Sequence, residues 1–176
     1  MRRLGIMTAL LTLLMAVSAA AALAVAPGTY PGTVNSANAP GSSHLASGTI
    51  QCVVDADLNV DCDNYVLGGV GNTNATVSLV ATYSATIDCT NKGGNLVESH
   101  TAEFSDSSSA TVASTRNGQL RVPAQSASPF DAPQVCPNPN WTPSIREGTL
   151  VLESFTYTLT FAGFSAPAVL ITASDP

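Results

Sequence analysis

Residues 89–95 read CTNKGGN, a short loop whose residue types could bind a ligand. Glycine-rich loops can cradle phosphate groups, and asparagine amides can exchange hydrogen bonds with the hydroxyls of a sugar. The segment lacks the spacing of a nucleotide-binding phosphate loop and no helical pattern follows it, so phosphate binding is rejected. Gly93 and Gly94 instead predict a turn, in which Asn91 and Asn95 bond to the local backbone.

The acidic run DADLNVDCD at residues 55–63 carries an acidic or amide side chain at every second position. Its first half matches the start of an EF-hand calcium loop. The match then ends, because the sixth position is Val60 instead of glycine and the twelfth is Val66 instead of glutamate. The run therefore predicts a solvated hairpin, and no metal site is assigned.

His100 lies two residues from Glu98, so both side chains would share one face of a strand. A carboxylate beside an imidazole is the beginning of general acid–base chemistry. Asp88, Glu98 and Glu103 could in principle supply the carboxyl pair of a glycosidase. No serine in a nucleophile-elbow pattern accompanies these residues, so no catalytic residue is assigned.

The four cysteines predict two disulfides in an exported chain. TIQCVV and VDCDNYVL flank DADLN symmetrically, so a hairpin would set Cys52 opposite Cys62. Opposed strand residues have Cα atoms about 4.5–5.5 Å apart, which a disulfide can span. This pairing leaves Cys89 to bond with Cys136. A zinc site is less favoured, because the spacing is not that of CxxC pairs and the chain has only two histidines.

A bond between Cys89 and Cys136 would bring the segment VCPNPNWTP beside CTNKGGN at one end of the domain. An aromatic ring and several amides on loops fixed by proline could hold a sugar. The candidate ligand-binding residues are Asn91, Lys92, Asn95, Asn138, Asn140 and Trp141. The competing interpretation is that Trp141 closes the open end of the core.

The elements that must position these loops are strands. Apolar and polar side chains alternate over residues 75–89, and SFTYTLTF at residues 154–161 repeats the pattern. The inward phase switches near Glu153 and Ser154, which indicates a β-bulge. About eight strands, separated by Gly, Asn and Pro turns, predict an all-β fold over residues 49–176. We expect an antiparallel β-sandwich of immunoglobulin-like architecture with two disulfides.

The N-terminal region predicts export. Arg2 and Arg3 precede an apolar run and then small residues, the layout of a secretory signal peptide, here assigned to residues 1–26. The apolar run is short for a membrane span, so no transmembrane segment is expected after signal removal. Residues 27–48 lack apolar periodicity and predict a flexible leader.

The charge of the mature chain limits its partners. Removing the signal leaves four basic residues against twelve acidic ones, a formal net charge of −8. A chain without a basic surface cannot neutralise a phosphate backbone, so nucleic acid is excluded as a partner.

Two cysteine motifs and a strand are similar to those of a known family. The chain has C-T-N-x-G-G-N at the end of a Thr-rich strand, then C-P-N-P-N-W-T and a final strand of the type F-T-Y-T-L-T. It resembles a family of small secreted bacterial β-rich proteins of uncharacterised function. The resemblance covers roughly residues 62–164, with GVGNTNATV also similar. It implies an exported β-rich domain with a disulfide joining the two cysteine motifs, and it implies no activity.

These features predict a secreted, extracellular, non-enzymatic binding module or one associated with the cell envelope. An extracellular glycan or an envelope component is the expected partner, and no cofactor is expected. The alternative is a small secreted hydrolase acting on extracellular glycan or peptide.

Overall fold

The computed structural model describes residues 24–174, so residues 1–23 of the predicted signal peptide lie outside the described residues. The described chain forms strands and one short 3-10 helix, Ser36–Asn38. The strands are β1 (Gly28–Pro31), β2 (His44–Gly48), β3 (Gln51–Val54), β4 (Val60–Cys62), β5 (Tyr65–Gly68), β6 (Ala75–Thr90), β7 (Leu96–Val112), β8 (Leu120–Val122), β9 (Gln125–Ala127), β10 (Thr142–Ile145), β11 (Val151–Phe161) and β12 (Val169–Ser174).

The largest sheet has five strands and is built around β6. β7 pairs with β6 along one edge, while β11 and β10 pair with successive parts of the other edge. β12 pairs with β11, and every pairing is antiparallel. The apolar side chains that alternate along β6 are buried, as their period of two predicts.

Two smaller antiparallel sheets complete the core. One has the strand order β1-β3-β4-β9 and the other has the order β2-β5-β8. Contacts between layers include the hydroxyl of Tyr157, which donates to that of Tyr65 at 3.1 Å, and the rings of Tyr30 and Phe155, which meet edge to face at 5.1 Å. The prediction of an all-β, antiparallel, sandwich-like fold is confirmed, with more strands than the eight expected.

The segment predicted as a flexible leader contains β1 and β2, which corrects that prediction. β1 pairs with β3 and β2 pairs with β5. Upstream of them, Val25 is buried and its backbone N–H donates to the carbonyl of Leu152 at 2.9 Å. Exposed edge strands need backbone pairing but no apolar alternation, which is why their sequence resembles a loop. The folded domain thus includes residues well before position 49.

Two further features concern the strands β11 and β7. The predicted β-bulge is confirmed, because the register between β11 and β6 shifts between Leu152 and Ser154. β7 is one strand of 17 residues, although its sequence indicated two shorter runs. Asp106 and Ser108 interrupt the apolar pattern on the inner side of β7, and both stay partly exposed because β7 is an edge strand.

Candidate functional site

Both predicted disulfides are present and define where the candidate loops lie. Cys52 bonds to Cys62 and Cys89 bonds to Cys136. In addition, Thr142 at the start of β10 pairs with Thr90 at the end of β6. The disulfide and the strand pairing together place Trp141 beside the CTNKGGN turn. The two segments therefore meet at one end of the five-stranded sheet, which we call the loop end.

The CTNKGGN turn is held by Asn91. Its side-chain carbonyl accepts hydrogen bonds from the backbone N–H groups of Gly93 at 2.9 Å and Asn95 at 3.1 Å. Gly94 has a φ of 78°, a backbone conformation that glycine adopts without strain. The Asn91 side chain thus shapes the turn, and its amide oxygen is already occupied.

Asn138 holds the turn in the segment VCPNPNWTP, as Asn91 does in CTNKGGN. Its side-chain carbonyl accepts from the N–H of Asn140 at 2.9 Å, and its backbone carbonyl accepts from the N–H of Trp141 at 3.0 Å. The indole of Trp141 is half-buried and packs against the core. Part of the Trp141 ring therefore closes the core, as the competing interpretation expects, and part stays in solvent.

Lys92, Asn95 and Asn140 are the candidate residues whose side chains stay exposed. Within residues 24–174 their side-chain polar atoms make no hydrogen bond. The loop end thus offers one cation, two free amides and part of an indole ring, on turns fixed by Asn91 and Asn138. Such groups can exchange hydrogen bonds with hydroxyl or carboxylate groups of a ligand.

An ion pair near the loop end was missed by sequence reasoning. Arg146 donates to both carboxylate oxygens of Asp88, from Nη2 at 2.6 Å and from Nε at 3.1 Å, and Ser99 donates to the same carboxylate at 2.7 Å. These bonds, above all those from Arg146, hold the pKa of Asp88 below its ordinary value. No local signal links residues 58 positions apart, so only the pairing of β10 with β6 reveals them.

The carboxylates considered for glycosidase chemistry do not converge. Asp88 pairs with Ser99 across the sheet, and Glu98 lies on the opposite face, paired with Cys89. Glu103 shares the face of Asp88 but lies four residues beyond Ser99, about 13 Å along the strand. That separation exceeds what either class of glycosidase uses. Moreover, an Asp88 carboxylate held ionised by Arg146 is unsuited to act as a general acid.

Glu98 and His100 do share a face, as the sequence predicts. The Nδ1 atom of His100 lies 4.0 Å from the Oε1 atom of Glu98, and it is buried without a hydrogen-bond partner. Neither residue lines the two clefts described below.

The acidic hairpin is explained by its own turn. Asp55 accepts hydrogen bonds from the backbone N–H groups of Asp57 and Asn59, each at 2.9 Å, and from the Asn59 side chain at 2.8 Å. The bond from the Asn59 side chain is the main reason that the pKa of Asp55 lies below its ordinary value. Among residues 24–174, no group of three or more acidic, histidine or cysteine side chains is placed to hold a metal ion.

The surface formed by residues 24–174 carries a cleft beside Leu58 and another on the five-stranded sheet, and sequence reasoning identified neither. One of about 400 Å³ lies between Leu58, Phe130 and the turn that joins β10 to β11. The other, of about 540 Å³, lies on the five-stranded sheet at the end remote from the loop end. Both are assembled from segments far apart in sequence, which is why no local motif marks them.

Comparison of the chain with protein-family models, with curated proteins and with solved structures finds no match. Within residues 24–174, no helix is long and apolar enough to cross a membrane.

Proposed function

We propose that the protein is a secreted, non-enzymatic binding module that contacts an extracellular glycan or another cell-envelope component through the loop end. The N-terminal signal pattern and the two disulfides support export, since disulfides persist in oxidising compartments. One observation carries the proposal: Lys92, Asn95 and Asn140 stand exposed beside Trp141 on turns that a disulfide joins.

Rigidity favours this surface as a contact. The Cys89–Cys136 bond and the backbone bonds to Asn91 and Asn138 hold the turns before any ligand arrives. Ordering a loop on binding costs free energy, and turns that are already fixed avoid most of that cost. A neutral or weakly charged glycan also suits a chain with a mature net charge of −8 better than a polyanion does.

The test is binding of the mature chain to isolated cell-wall fractions and to a glycan array. The double variant N95A/N140A removes both free amides, and hydrogen bonds worth about 0.5–1.5 kcal/mol each imply a loss of roughly fivefold to 150-fold in affinity. Asn117→Ala is the matched control, because Asn117 is exposed on a different turn. Equal binding by the wild type and N95A/N140A would refute the loop end as the contact.

Hydrolysis is the weaker proposal, because Asp88, Glu98 and Glu103 point apart or lie too far from one another. The same experiment tests it. Release of reducing sugar or of peptide from the wall fractions during incubation would favour the hydrolase over the binding module.

A further inference from the structure

The outer face of the five-stranded sheet carries a cleft of about 540 Å³ near the turn between β11 and β12. Five hydroxyl side chains and the half-buried ring of Phe164 are among the groups that line it, together with the buried Phe161, and we call it the hydroxyl cleft. The hydroxyl residues are Thr76, Ser78, Thr111, Thr158 and Thr160. Thr76 lies 14 residues before Thr90 on β6, about 45 Å away along the strand, so the cleft is separate from the loop end.

The strand register collects these hydroxyls. Thr160, Thr76 and Thr111 lie side by side on β11, β6 and β7, and Thr158 and Ser78 form the next row. Elsewhere on this face, the hydroxyls of Thr82 and Ser105 bond to each other at 3.2 Å. The cleft hydroxyls make no side-chain hydrogen bond within residues 24–174. Each can donate one hydrogen bond and accept two, so the cleft presents unused capacity of both kinds.

Phe164 supplies an apolar wall on a fixed turn. Its ring is half-buried against Phe161, with centroids 6.3 Å apart, and its N–H donates to the Phe161 carbonyl at 3.1 Å. The N–H of Ala162 donates to the carbonyl of Asn74 at 2.8 Å, which ties the turn to the start of β6. An aromatic surface next to several hydroxyls can pack against a sugar ring and bond its hydroxyl groups.

The hydroxyl cleft favours an uncharged ligand. The cleft is lined without any Lys, Arg, Asp or Glu side chain, so it offers no ionic partner to a phosphate, a sulfate or a uronic acid. Its volume lies within the range of about 300–1,000 Å³ that is usual for small-molecule sites. A neutral, hydroxyl-rich ring satisfies both conditions.

The same face continues beyond the cleft. The next row carries Thr156 and Ser107 on either side of the exposed Val80, and the row after it carries Ser154, Thr82 and Ser105, all on outward positions. Rows on one face are about 6.6–6.8 Å apart, so the hydroxyl surface extends roughly 20 Å along the strands. A ligand of several sugar units could therefore leave the cleft and follow the strands.

We propose that the hydroxyl cleft is a second binding site, which binds a neutral sugar unit of a glycan chain. The adjoining sugar units then lie along the rows of hydroxyl side chains on the outer face of the sheet. This proposal does not rest on the loop end, because no residue is shared between the two surfaces.

The test measures binding of arrayed neutral hexose and N-acetylhexosamine oligosaccharides, with uronate-containing oligosaccharides as charged controls. We expect a neutral hexasaccharide to bind more tightly than its disaccharide, and the double variant T76V/T158V to weaken binding by roughly fivefold to 150-fold, because two hydrogen bonds are lost. Threonine to valine keeps the shape of the side chain and removes the hydroxyl. Thr101→Val is the matched control, since Thr101 faces the same way near the other end of β7.

The outcomes separate the two proposals. Loss of neutral-oligosaccharide binding in T76V/T158V supports the hydroxyl cleft, and the separate effect of N95A/N140A tests the loop end. If no neutral oligosaccharide binds, or if T76V/T158V binds like the wild type, the hydroxyl cleft is not a glycan site. Unchanged melting temperature shows that a variant folds. Should T76V/T158V fail that control, Thr111→Val removes one hydroxyl from an exposed edge position and should weaken binding by about twofold to 13-fold.

Discussion

The hydroxyls of Tyr65 and Tyr157 form a hydrogen bond between two sheets in the interior. Tyr65 lies on β5 and Tyr157 on β11, and the two oxygens are 3.1 Å apart. Both side chains are at most 2% exposed. Each hydroxyl has the other as its side-chain hydrogen-bond partner within the described residues, so changing one alone strands the other.

The expected cost depends on how many hydroxyls are removed. Tyr65→Phe leaves the Tyr157 donor without its acceptor, and Tyr157→Phe leaves the Tyr65 oxygen without its donor. Each single change should lower the free energy of unfolding by about 1–3 kcal/mol, because a buried polar group loses its partner. The double variant Y65F/Y157F keeps the shape of both rings and buries no unpaired hydroxyl, so it should be nearly neutral.

Urea unfolding followed by the fluorescence of Trp141, the single tryptophan, measures all four proteins of this cycle. Because the double variant should be nearly neutral, the coupling energy equals the two single losses together, about 2–6 kcal/mol in magnitude. Tyr30→Phe is the control, because the Tyr30 hydroxyl lies in an exposed position, and its loss should cost about 0.5 kcal/mol or less.

Additivity is the result that would refute this reasoning. If the double variant loses as much stability as the two single variants together, the hydroxyls are not each other's partners. The packing of β5 against β11 would then differ from that described.

Three further outcomes are expected. Burial raises the pKa of Tyr65, Tyr83 and Tyr157 above the ordinary value of 10. The free energy of unfolding should therefore be unaffected by these groups below about pH 10 and should fall as the pH rises further. Tyrosinate absorbance should then develop together with loss of the circular dichroism signal. The lowered pKa of Asp88 contributes stability that is present above its ordinary pKa of 3.8 and is lost as the pH falls through the folded-state pKa. Arg146→Gln should weaken this acid dependence in melting experiments, and an unchanged profile would contradict it. Val60→Ala should cost about 1–2 kcal/mol in urea unfolding, because it removes buried methyl groups, whereas Val135→Ala, which is 70% exposed in the wild type, should cost almost nothing.

Local spacing was enough to predict part of the fold. The symmetric flanks of DADLN set Cys52 opposite Cys62, and the phase switch near Glu153 located the bulge in β11. Both are properties of a single hairpin or strand. The period of two along β6 likewise predicts which side chains face the core, because successive residues of a strand point to opposite faces.

The candidate site was only partly predictable. The sequence identified Cys89 and Cys136 as a pair by elimination, and so predicted that Trp141 lies beside the CTNKGGN turn. It did not reveal that Asn91 and Asn138 bond to their own turns and leave Asn95 and Asn140 free. Whether an amide caps a turn or faces solvent depends on backbone conformation that several sequences share.

The sequence by itself determined the disulfide pairs and the inward and outward faces of the long strands. The tertiary structure alone decided which strands became neighbours. It added β1 and β2 to the sheets, set Arg146 against Asp88, and gathered hydroxyls from β6, β7 and β11 into one cleft. The physical reason is that strand pairing is made by backbone groups common to all residues except proline, so side-chain patterns fix the face of a residue but not its partner strand.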